Sequence, residues 1–212
     1  MTLVKVCGIT NLDDALAAVD AGADALGFNF YPRSPRYISP ADARELINQL
    51  PEPVIKVGVF VNEDLASVVS IAGEAKLTAL QLHGDETPEY CRQLRGKYII
   101  KAFGAKKQFD WSAVGVYEVQ AIMLDTKDDV LRGGTGRTFD WSIAQRANGS
   151  TANGRTPRLF LAGGLSPENV AEAIKTVRPY AVDACSSLEH APGKKNHERI
   201  RAFVKAVRGV EP

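Results

Sequence analysis

The sequence has few cysteines and histidines, and neither residue type is spaced as in a structural site. Its three cysteines, Cys7, Cys91 and Cys185, are scattered along 212 residues and form no C-x-x-C pair. A small and odd number of cysteines argues against a disulfide framework and is expected for a reducing cytoplasm. The three histidines also lack the spacing of metal ligands, so we expect no dedicated metal site.

Long apolar runs and an excess of one charge are also missing. No apolar stretch approaches the ~20 residues of a membrane-spanning helix, and the N-terminal MTLVKVCGIT does not resemble a signal peptide. The 26 basic and 25 acidic residues nearly cancel, which argues against an electrostatic grip on nucleic acid or anionic lipid. With 45% hydrophobic and 24% charged residues, the composition is that of an ordinary globular protein. We therefore expect a soluble, cytoplasmic protein.

What the sequence does contain is a regular alternation of short apolar runs and helical segments, separated by Gly, Pro and Asn. Each apolar run has the length of a β-strand, and a segment with helical spacing or capping residues follows it. Strands are predicted at 3–7, 25–30, 54–61, 79–82, 98–103, 121–124, 158–162 and 181–184. Helices are predicted after Asn11, at 40–50, 63–74 and 88–94, near Asp110 and Asp140, and at 167–177 and 196–207.

This alternation predicts an α/β protein built as a (β/α)8 TIM barrel, with residues 1–212 forming a single domain. No β-hairpin signal interrupts the eight strand–helix pairs, which favours a parallel sheet, and a closed barrel of this class uses eight pairs. A doubly wound sheet is the alternative, but no strand is followed by G-x-G-x-x-G or a P-loop. The small, polar segment 147–156 is interpreted as a tolerated insertion on the bottom face.

Polar side chains are predicted to gather where the strands end, because barrel enzymes carry their chemistry at the carboxyl ends of the strands. Cys7, His83, Asp125 and Asp183 all occupy such positions. Because alternate residues of a strand share a face, Lys5 is expected on the same face as Cys7. Buried polar groups are costly unless they are paired or used, so the cluster indicates a functional site. An internal hydrogen-bond network without catalysis is the alternative.

Two of these residues carry competing interpretations. Cys7 alone is more typical of packing, but near Lys5 and free backbone N–H groups its thiolate becomes a usable base. Asp125 is either a loop carboxylate paired with Lys127 or a proton donor whose pKa is raised by partial burial. Cys91 lies in the middle of a predicted helix and is interpreted as packing.

The stretch AGGLSPENV predicts an anion site. Gly163 and Gly164 follow the seventh strand, where they let backbone N–H groups approach an anion, and Ser166-Pro167 is predicted to begin a helix. Phosphate sites in barrels commonly use the loops after strands seven and eight. A simple helix-capping turn is the alternative. The glycine-rich segment 133–136 is either a second anion nest or a lid.

Seven motifs, in order, resemble the phosphoribosylanthranilate isomerase family of tryptophan biosynthesis. They are KVCGIT, GFNFYPRSPRYI, VGVFVN, LQLHGDE, MLDT, GGTGRTFDW and LAGGLSPENV, and the resemblance extends from Lys5 to Lys195. It implies a (β/α)8 barrel that converts N-(5-phosphoribosyl)anthranilate to the corresponding 1-deoxyribulose phosphate by an Amadori rearrangement. It also implies that no cofactor is required, because the substrate's own nitrogen serves as the electron sink.

The resemblance assigns roles residue by residue. Cys7 would be the general base and Asp125 the general acid. Arg36 would hold the anthranilate carboxylate, and Asp183 would orient the substrate nitrogen or a sugar hydroxyl. The remaining substrate-binding positions are His83 and the phosphate-binding set, which comprises Gly163, Gly164, Cys185, Ser186 and Ser187.

The sequence departs from the family pattern after strand eight. Where the family usually reads VDVSSGVE this chain reads VDACSSLE, so Cys185 replaces a serine and Ser187 replaces a glycine. A thiol is a poorer hydrogen-bond partner than a hydroxyl, and a serine restricts the backbone more than glycine does. The PGKKD of the family becomes PGKKN, with Asn196 still able to cap the last helix. These changes bear on phosphate binding and leave Cys7 and Asp125 unchanged.

Two other functions remain open at this point. A Schiff-base lyase of the same fold would need a lysine at a strand end, for which Lys5 and Lys101 are the candidates. A catalytically silent barrel that binds a phosphate ligand or a partner protein is the second alternative.

Overall fold

Eight parallel strands close into a barrel in the order of the chain. The structure, a computed structural model, describes residues 1–105, 109–126, 139–145 and 157–210. The strands are β1 Leu3–Cys7, β2 Ala25–Asn29, β3 Ile55–Phe60, β4 Ala79–Leu82, β5 Tyr98–Ala105, β6 Ala121–Thr126, β7 Arg158–Leu161 and β8 Ala181–Ala184. Each pairs with the next, and β8 pairs with β1 to complete the cylinder. The predicted (β/α)8 fold class is confirmed.

Helices connect most of the strands and lie outside the barrel. They are α1 Leu12–Asp20, α2 Pro40–Ile47, α3 Leu65–Glu74, α4 Pro88–Gln93, α5 Ser142–Gln145, α6 Val170–Val177 and α7 His197–Arg208. Five of them begin at a capping side chain that accepts a hydrogen bond from a backbone N–H of the first turn: Asn11, Ser39, Asp64, Thr87 and Asn196. None of the helices in the described residues is long and apolar enough to cross a membrane.

Three sequence predictions are wrong in their details. The helix expected near Asp110 is only a 3-10 turn at Trp111–Ala113, and the helix expected from residue 167 begins at Val170. A short antiparallel hairpin, β9 Glu189–Ala191 and β10 Lys194–Lys195, follows β8 although no hairpin was predicted. Its turn contains Gly193 with a φ of +77°, so the Pro-Gly pair was the missed signal.

Apolar residues fill two layers, one between the strands and the helices and one inside the barrel. The inner layer consists mostly of small and medium residues: Ala25, Val57, Ala79, Ile100, Ala102, Ala121, Met123, Phe160, Ala162 and Ala181. At the amino-terminal end of the strands a mostly apolar cavity of about 210 Å³ remains. The polar residues of the lumen lie toward the carboxyl end, as the candidate site requires.

Candidate active site

Lys5 and Asp183 form a buried ion pair across the contact between β1 and β8. The two residues are register partners, and Lys5 Nζ lies 2.7 Å from Asp183 Oδ1. Burial raises the pKa of Asp183 to about 7, against the lowering effect of Lys5. Burial alone would lower the pKa of Lys5, but the negative charges of Asp183 and Cys7 raise it above its usual value. Lys5 is therefore a permanent buried cation next to Cys7.

The neighbours of Cys7 favour the thiolate form of its side chain. The side chain is almost entirely buried, with 8% of the residue exposed. A hydrogen bond from the Cys185 thiol lowers its pKa well below the usual thiol value, and Lys5 lowers it further, although burial opposes both. A thiolate that is available near neutral pH is the form that a catalytic base needs.

The space for the Cys7 sulfur is provided by a glycine on β2. Gly27 is the register partner of Cys7, and an added Cβ there would lie 2.7 Å from Cys7 Sγ and 3.1 Å from Lys5 Nζ. A side chain at this position would displace both groups.

We expect Gly27→Ala to lower kcat by about 10-fold, because a small displacement of a reacting group is costly. Overpacking should also destabilise the fold by about 1–3 kcal/mol, which urea unfolding measures. Gly73→Ala is the control, since no atom lies within 4 Å of a Cβ built at this helical glycine. It should stabilise the fold by about 0.5–1 kcal/mol and leave kcat unchanged. A Gly27→Ala variant with normal kcat would show that the Cys7 sulfur can move freely.

Asp125 lies near the end of β6, where hydrogen bonds fix its carboxyl group. Oδ1 accepts a hydrogen bond of 2.8 Å from the backbone N–H of Thr126, and Oδ2 lies 3.3 Å from His83 Nε2. The other ring nitrogen of His83 lies 2.8 Å from the Gln81 amide nitrogen. These contacts orient the carboxyl group. Because the residue is only 7% exposed, the group is also largely shielded from water. His83 thus supports Asp125 from the β4 side.

A small cleft at the carboxyl end of the strands joins the predicted acid to the predicted phosphate loops. It is lined by Asp125, Ala162, Gly163, Gly164, Leu165, Asp183, Ala184, Cys185, Ser186 and Ser187. Gly163 lies directly against Asp125, because an added Cβ would be 3.1 Å from Oδ1 of this carboxylate and 2.7 Å from the Thr126 nitrogen. Its φ of +82° also favours glycine.

The loops after β7 and β8 are tied to each other and to α6. The Ser187 hydroxyl donates a hydrogen bond to the Leu165 carbonyl, and the Asn169 side chain donates to the Gly164 carbonyl at 3.0 Å. Ser187 is not among the described residues with positive φ, so its backbone has no need of the family's glycine. The positive end of α6 is farther from Gly164 than predicted, because the helix begins at Val170.

Arg36 is anchored at the rim of the site by a carboxylate that sequence reasoning missed. Its Nε and Nη2 atoms lie 2.9 and 2.7 Å from the two carboxylate oxygens of Glu189. Lys195 Nζ donates to the same carboxylate at 2.8 Å. Burial raises the pKa of Glu189, but the hydrogen bond from Arg36 and the charge of Lys195 hold it below its usual value. The guanidinium of Arg36 is therefore fixed, and the aliphatic part of its side chain packs over Gly8: a Cβ added at Gly8 would lie 2.7 Å from Arg36 Cδ.

A family model described as N-(5'phosphoribosyl)anthranilate (PRA) isomerase matches residues 4–206. The chain belongs to the PRA isomerase family. The curated PRA isomerase of Thermotoga maritima is 47% identical to it, over 99% of this chain and 100% of that protein. The crystal structure of the Thermotoga maritima PRA isomerase superposes with a TM-score of 0.89 at 45% identity, covering 99% of this chain and 100% of that one.

A PRA isomerase structure in complex with reduced 1-(o-carboxyphenylamino)-1-deoxyribulose 5-phosphate has a TM-score of 0.85 and 44% identity, covering 99% of this chain and 100% of that one. The present chain is accordingly an enzyme of tryptophan biosynthesis. It converts N-(5'-phosphoribosyl)anthranilate to 1-(2-carboxyphenylamino)-1-deoxyribulose 5-phosphate.

The structure brings most of the predicted PRA isomerase site residues to one end of the barrel. Cys7, His83, Asp125 and Asp183 lie on four strands or at their ends, and the loops after β7 and β8 complete the cleft. Sequence reasoning missed the anchoring role of Glu189 and Lys195, although both lie in the segment that follows the strand-eight loop. Lys127, the glycine-rich segment 133–136 and the whole of 147–156 lie outside the described residues.

Neither lysine of the alternative lyase hypothesis has a free amine. Lys5 is paired with Asp183, while Lys101 Nζ lies 2.9 Å from Glu86 and donates to the backbone carbonyls of Leu82 and Gly84. A lysine needs an uncharged, accessible amine to form a Schiff base. The geometry therefore disfavours imine chemistry at either position.

Proposed function

We propose that Cys7 is the general base and Asp125 the general acid of the PRA isomerase reaction in this chain. The proposal rests on one observation: Cys7 and Asp125 lie at the same end of the barrel, and each has neighbouring side chains that suit it to its role. Cys7 has Lys5 and Cys185 to stabilise its thiolate, and Asp125 has His83 to orient its carboxyl group. Asp125 and Asp183 share one cleft, and Asp183 in turn contacts the cation that faces Cys7.

The first step is acid-catalysed opening of the sugar ring. Asp125 gives its proton to the ring oxygen while the lone pair of the anthranilate nitrogen forms a double bond to C1. The bond between C1 and the ring oxygen breaks, its electron pair stays on oxygen, and a protonated imine results. A carboxyl group that is largely shielded from water and fixed by His83 and Thr126 suits this transfer.

The second step is removal of the proton on C2. The positive nitrogen acidifies this proton, the Cys7 thiolate takes it, and the electron pair of the C–H bond forms the C1–C2 double bond of an enolamine. The enolamine then tautomerises to the ketone. No external electron acceptor is needed, because the substrate nitrogen accepts and returns the electron pair, so we propose that the reaction runs without a cofactor.

The ends of the substrate are recognised by opposite charges and backbone donors. We assign the anthranilate carboxylate to Arg36 and the phosphate to Gly163, Gly164 and the loop 185–187, with His83 beside the acid. Asp183 orients the substrate nitrogen or a sugar hydroxyl, and its pKa of about 7 lets it donate or accept a hydrogen bond near neutral pH. The family match over residues 4–206 and the three free cysteines support a single barrel domain in a reducing cytoplasm.

A fluorescence assay tests this function directly. Addition of N-(5'-phosphoribosyl)anthranilate to the purified chain is expected to produce a time-dependent loss of anthranilate fluorescence. Borohydride added during turnover should trap no substrate on lysine, since neither Lys5 nor Lys101 forms an imine. A stable fluorescence signal would support the silent-barrel alternative, whereas a borohydride-trapped lysine adduct would support the lyase alternative.

The lowered pKa of Cys7 predicts how the protein responds to pH. A base works only when deprotonated, so kcat/KM should persist as pH falls below the usual thiol pKa and decline only near the lowered value. The rate of alkylation by iodoacetamide, measured for each cysteine-containing peptide, should likewise remain high for Cys7 at pH values below the usual thiol pKa. Cys91 is the internal control, because burial raises its pKa to about 11. Equal pH dependence of the two alkylation rates would refute a stabilised Cys7 thiolate.

A further inference from the structure

We propose that Cys7 and Cys185 form a redox-sensitive pair, and that a peroxide converts the two thiols into a disulfide that blocks the site. The pair is a modification site built from one residue of β1 and the first residue after β8. The formation of the disulfide is independent of what Cys7 does in catalysis. Only the resulting loss of activity rests on the proposed role of Cys7 as the base.

The register of the two strands places these cysteines side by side. Leu3 to Val6 of β1 pair with Ala181 to Ala184 of β8, and the residues that follow the last pair are Cys7, which ends β1, and Cys185, which comes directly after β8. Neighbouring strands lie about 4.8 Å apart, which is within the roughly 4.4–6.8 Å between Cα atoms that a disulfide spans.

The side chains of these strands also face one another. Two residues earlier along each strand, and therefore on the same face, Lys5 and Asp183 meet at 2.7 Å. Just beyond them, a Cβ added at Gly8, the residue after Cys7, would lie 2.9 Å from Cys185 Sγ, and the two thiols shift each other's pKa. The two thiols are thus neighbours before any oxidation.

The surroundings give the two thiols different chemical roles. Cys7, beside the Lys5 ammonium, is the thiol that loses its proton more readily and hence the nucleophile toward a peroxide. Cys185 keeps its proton, because its hydrogen bond to Cys7 and its burial raise its pKa well above the usual thiol value. Cys185 is partly exposed and lies 3.9 Å from Lys195 Nζ, at the edge of the substrate cleft. A low-pKa thiolate next to a resolving thiol is typical of redox-sensitive cysteines.

The reaction balances with hydrogen peroxide or an organic hydroperoxide as the oxidant. The Cys7 thiolate attacks one peroxide oxygen, the O–O bond breaks, and hydroxide or alkoxide leaves with the bonding pair and takes a proton from solvent. The sulfenic acid on Cys7 is then attacked by the Cys185 sulfur. The S–S bond forms, the S–O bond breaks, and the oxygen departs as water with the Cys185 proton. Two thiols are oxidised and the peroxide is reduced by two electrons.

Mass spectrometry of the peroxide-treated enzyme tests the proposal. We expect the intact mass to fall by two hydrogen atoms and the digest to contain a Cys7–Cys185 cross-linked peptide. Activity measured in parallel should fall by about 10²-fold, because a sulfur in a disulfide cannot act as the base, and dithiothreitol should restore it. Cross-linking without loss of activity would sustain the redox pair while overturning the role of Cys7.

Two serine variants make the assignment specific. Cys185→Ser removes the resolving thiol, so peroxide should add oxygen to Cys7, and no loss of two hydrogen atoms should be seen. Cys91→Ser removes the remaining cysteine and should still show the cross-link and the dithiothreitol-reversible inactivation. A wild-type protein that gains oxygen on Cys7 without cross-linking, or a disulfide that contains Cys91, would overturn the proposal.

Discussion

Replacing Cys7 by serine is expected to lower kcat by about 10²–10⁴-fold while leaving the barrel folded. A serine hydroxyl has a far higher pKa than a thiol, so Lys5 and Cys185 cannot hold it as the anion that removes the C2 proton. The hydroxyl is smaller than the thiol and still fits beside Gly27, where an added Cβ would be 2.7 Å from the sulfur. Steady-state kinetics and circular dichroism of the same sample measure the two effects separately.

The matched control for this substitution is Cys91→Ser. Cys91 is also buried, but it lies in α4 and outside the barrel mouth. We expect Cys91→Ser to change stability without changing kcat, since the thiol contributes only packing there. If Cys7→Ser retained a kcat close to that of the wild type, another group would have to be the base.

Replacing Asp125 by asparagine is expected to lower kcat by a similar factor, about 10²–10⁴-fold. Asparagine keeps the shape of aspartate and can still accept the hydrogen bond from the Thr126 N–H, so the loop should remain in place. It has no acidic proton to give to the ring oxygen, so the C1–O bond must break without assistance. Rapid-quench kinetics would show the loss in the chemical step rather than in substrate binding.

Asp13→Asn provides the control for this second substitution. Asp13 is an exposed carboxylate in the first turn of α1, remote from the cleft residues. The Asp13→Asn substitution should leave kcat unchanged, because only a carboxyl group within reach of the ring oxygen can act as the acid. A normal kcat in Asp125→Asn would remove the acid role from this residue and point to His83, its 3.3 Å neighbour.

The sequence was sufficient to predict the barrel because its signals are local. Each strand is a short apolar run, and most helices begin at a capping residue such as Asn11 or Asp64 that is visible in the sequence. The prediction of a helix near Asp110 was wrong for a local reason. One capping aspartate that is not followed by a sustained apolar stripe stabilises only the 3-10 turn at Trp111–Ala113.

The partners within the site could not be predicted from the residues alone. Lys5 and Asp183 are 178 residues apart, and Arg36 and Glu189 are 153 apart. Their contacts depend on how β8 aligns with β1 and on the hairpin after β8, and no short-range pattern encodes either. The resemblance to the family supplied roles for Cys7 and Asp125. It could not show that a second thiol, Cys185, lies beside Cys7, because the family pattern carries serine there.

The contact between β1 and β8 also bears on when the enzyme becomes active during its synthesis. Cys7 and Lys5 are made early, yet Cys185 and Lys195, which also lower the pKa of the Cys7 thiol, emerge from the ribosome only near the end of translation. A nascent chain that stops before β8 would lack both of these later groups, and the pKa of its Cys7 thiol would be lowered less. The complete active site therefore forms only when β8 pairs with β1 and closes the barrel. Truncated translation products should be inert rather than partly active.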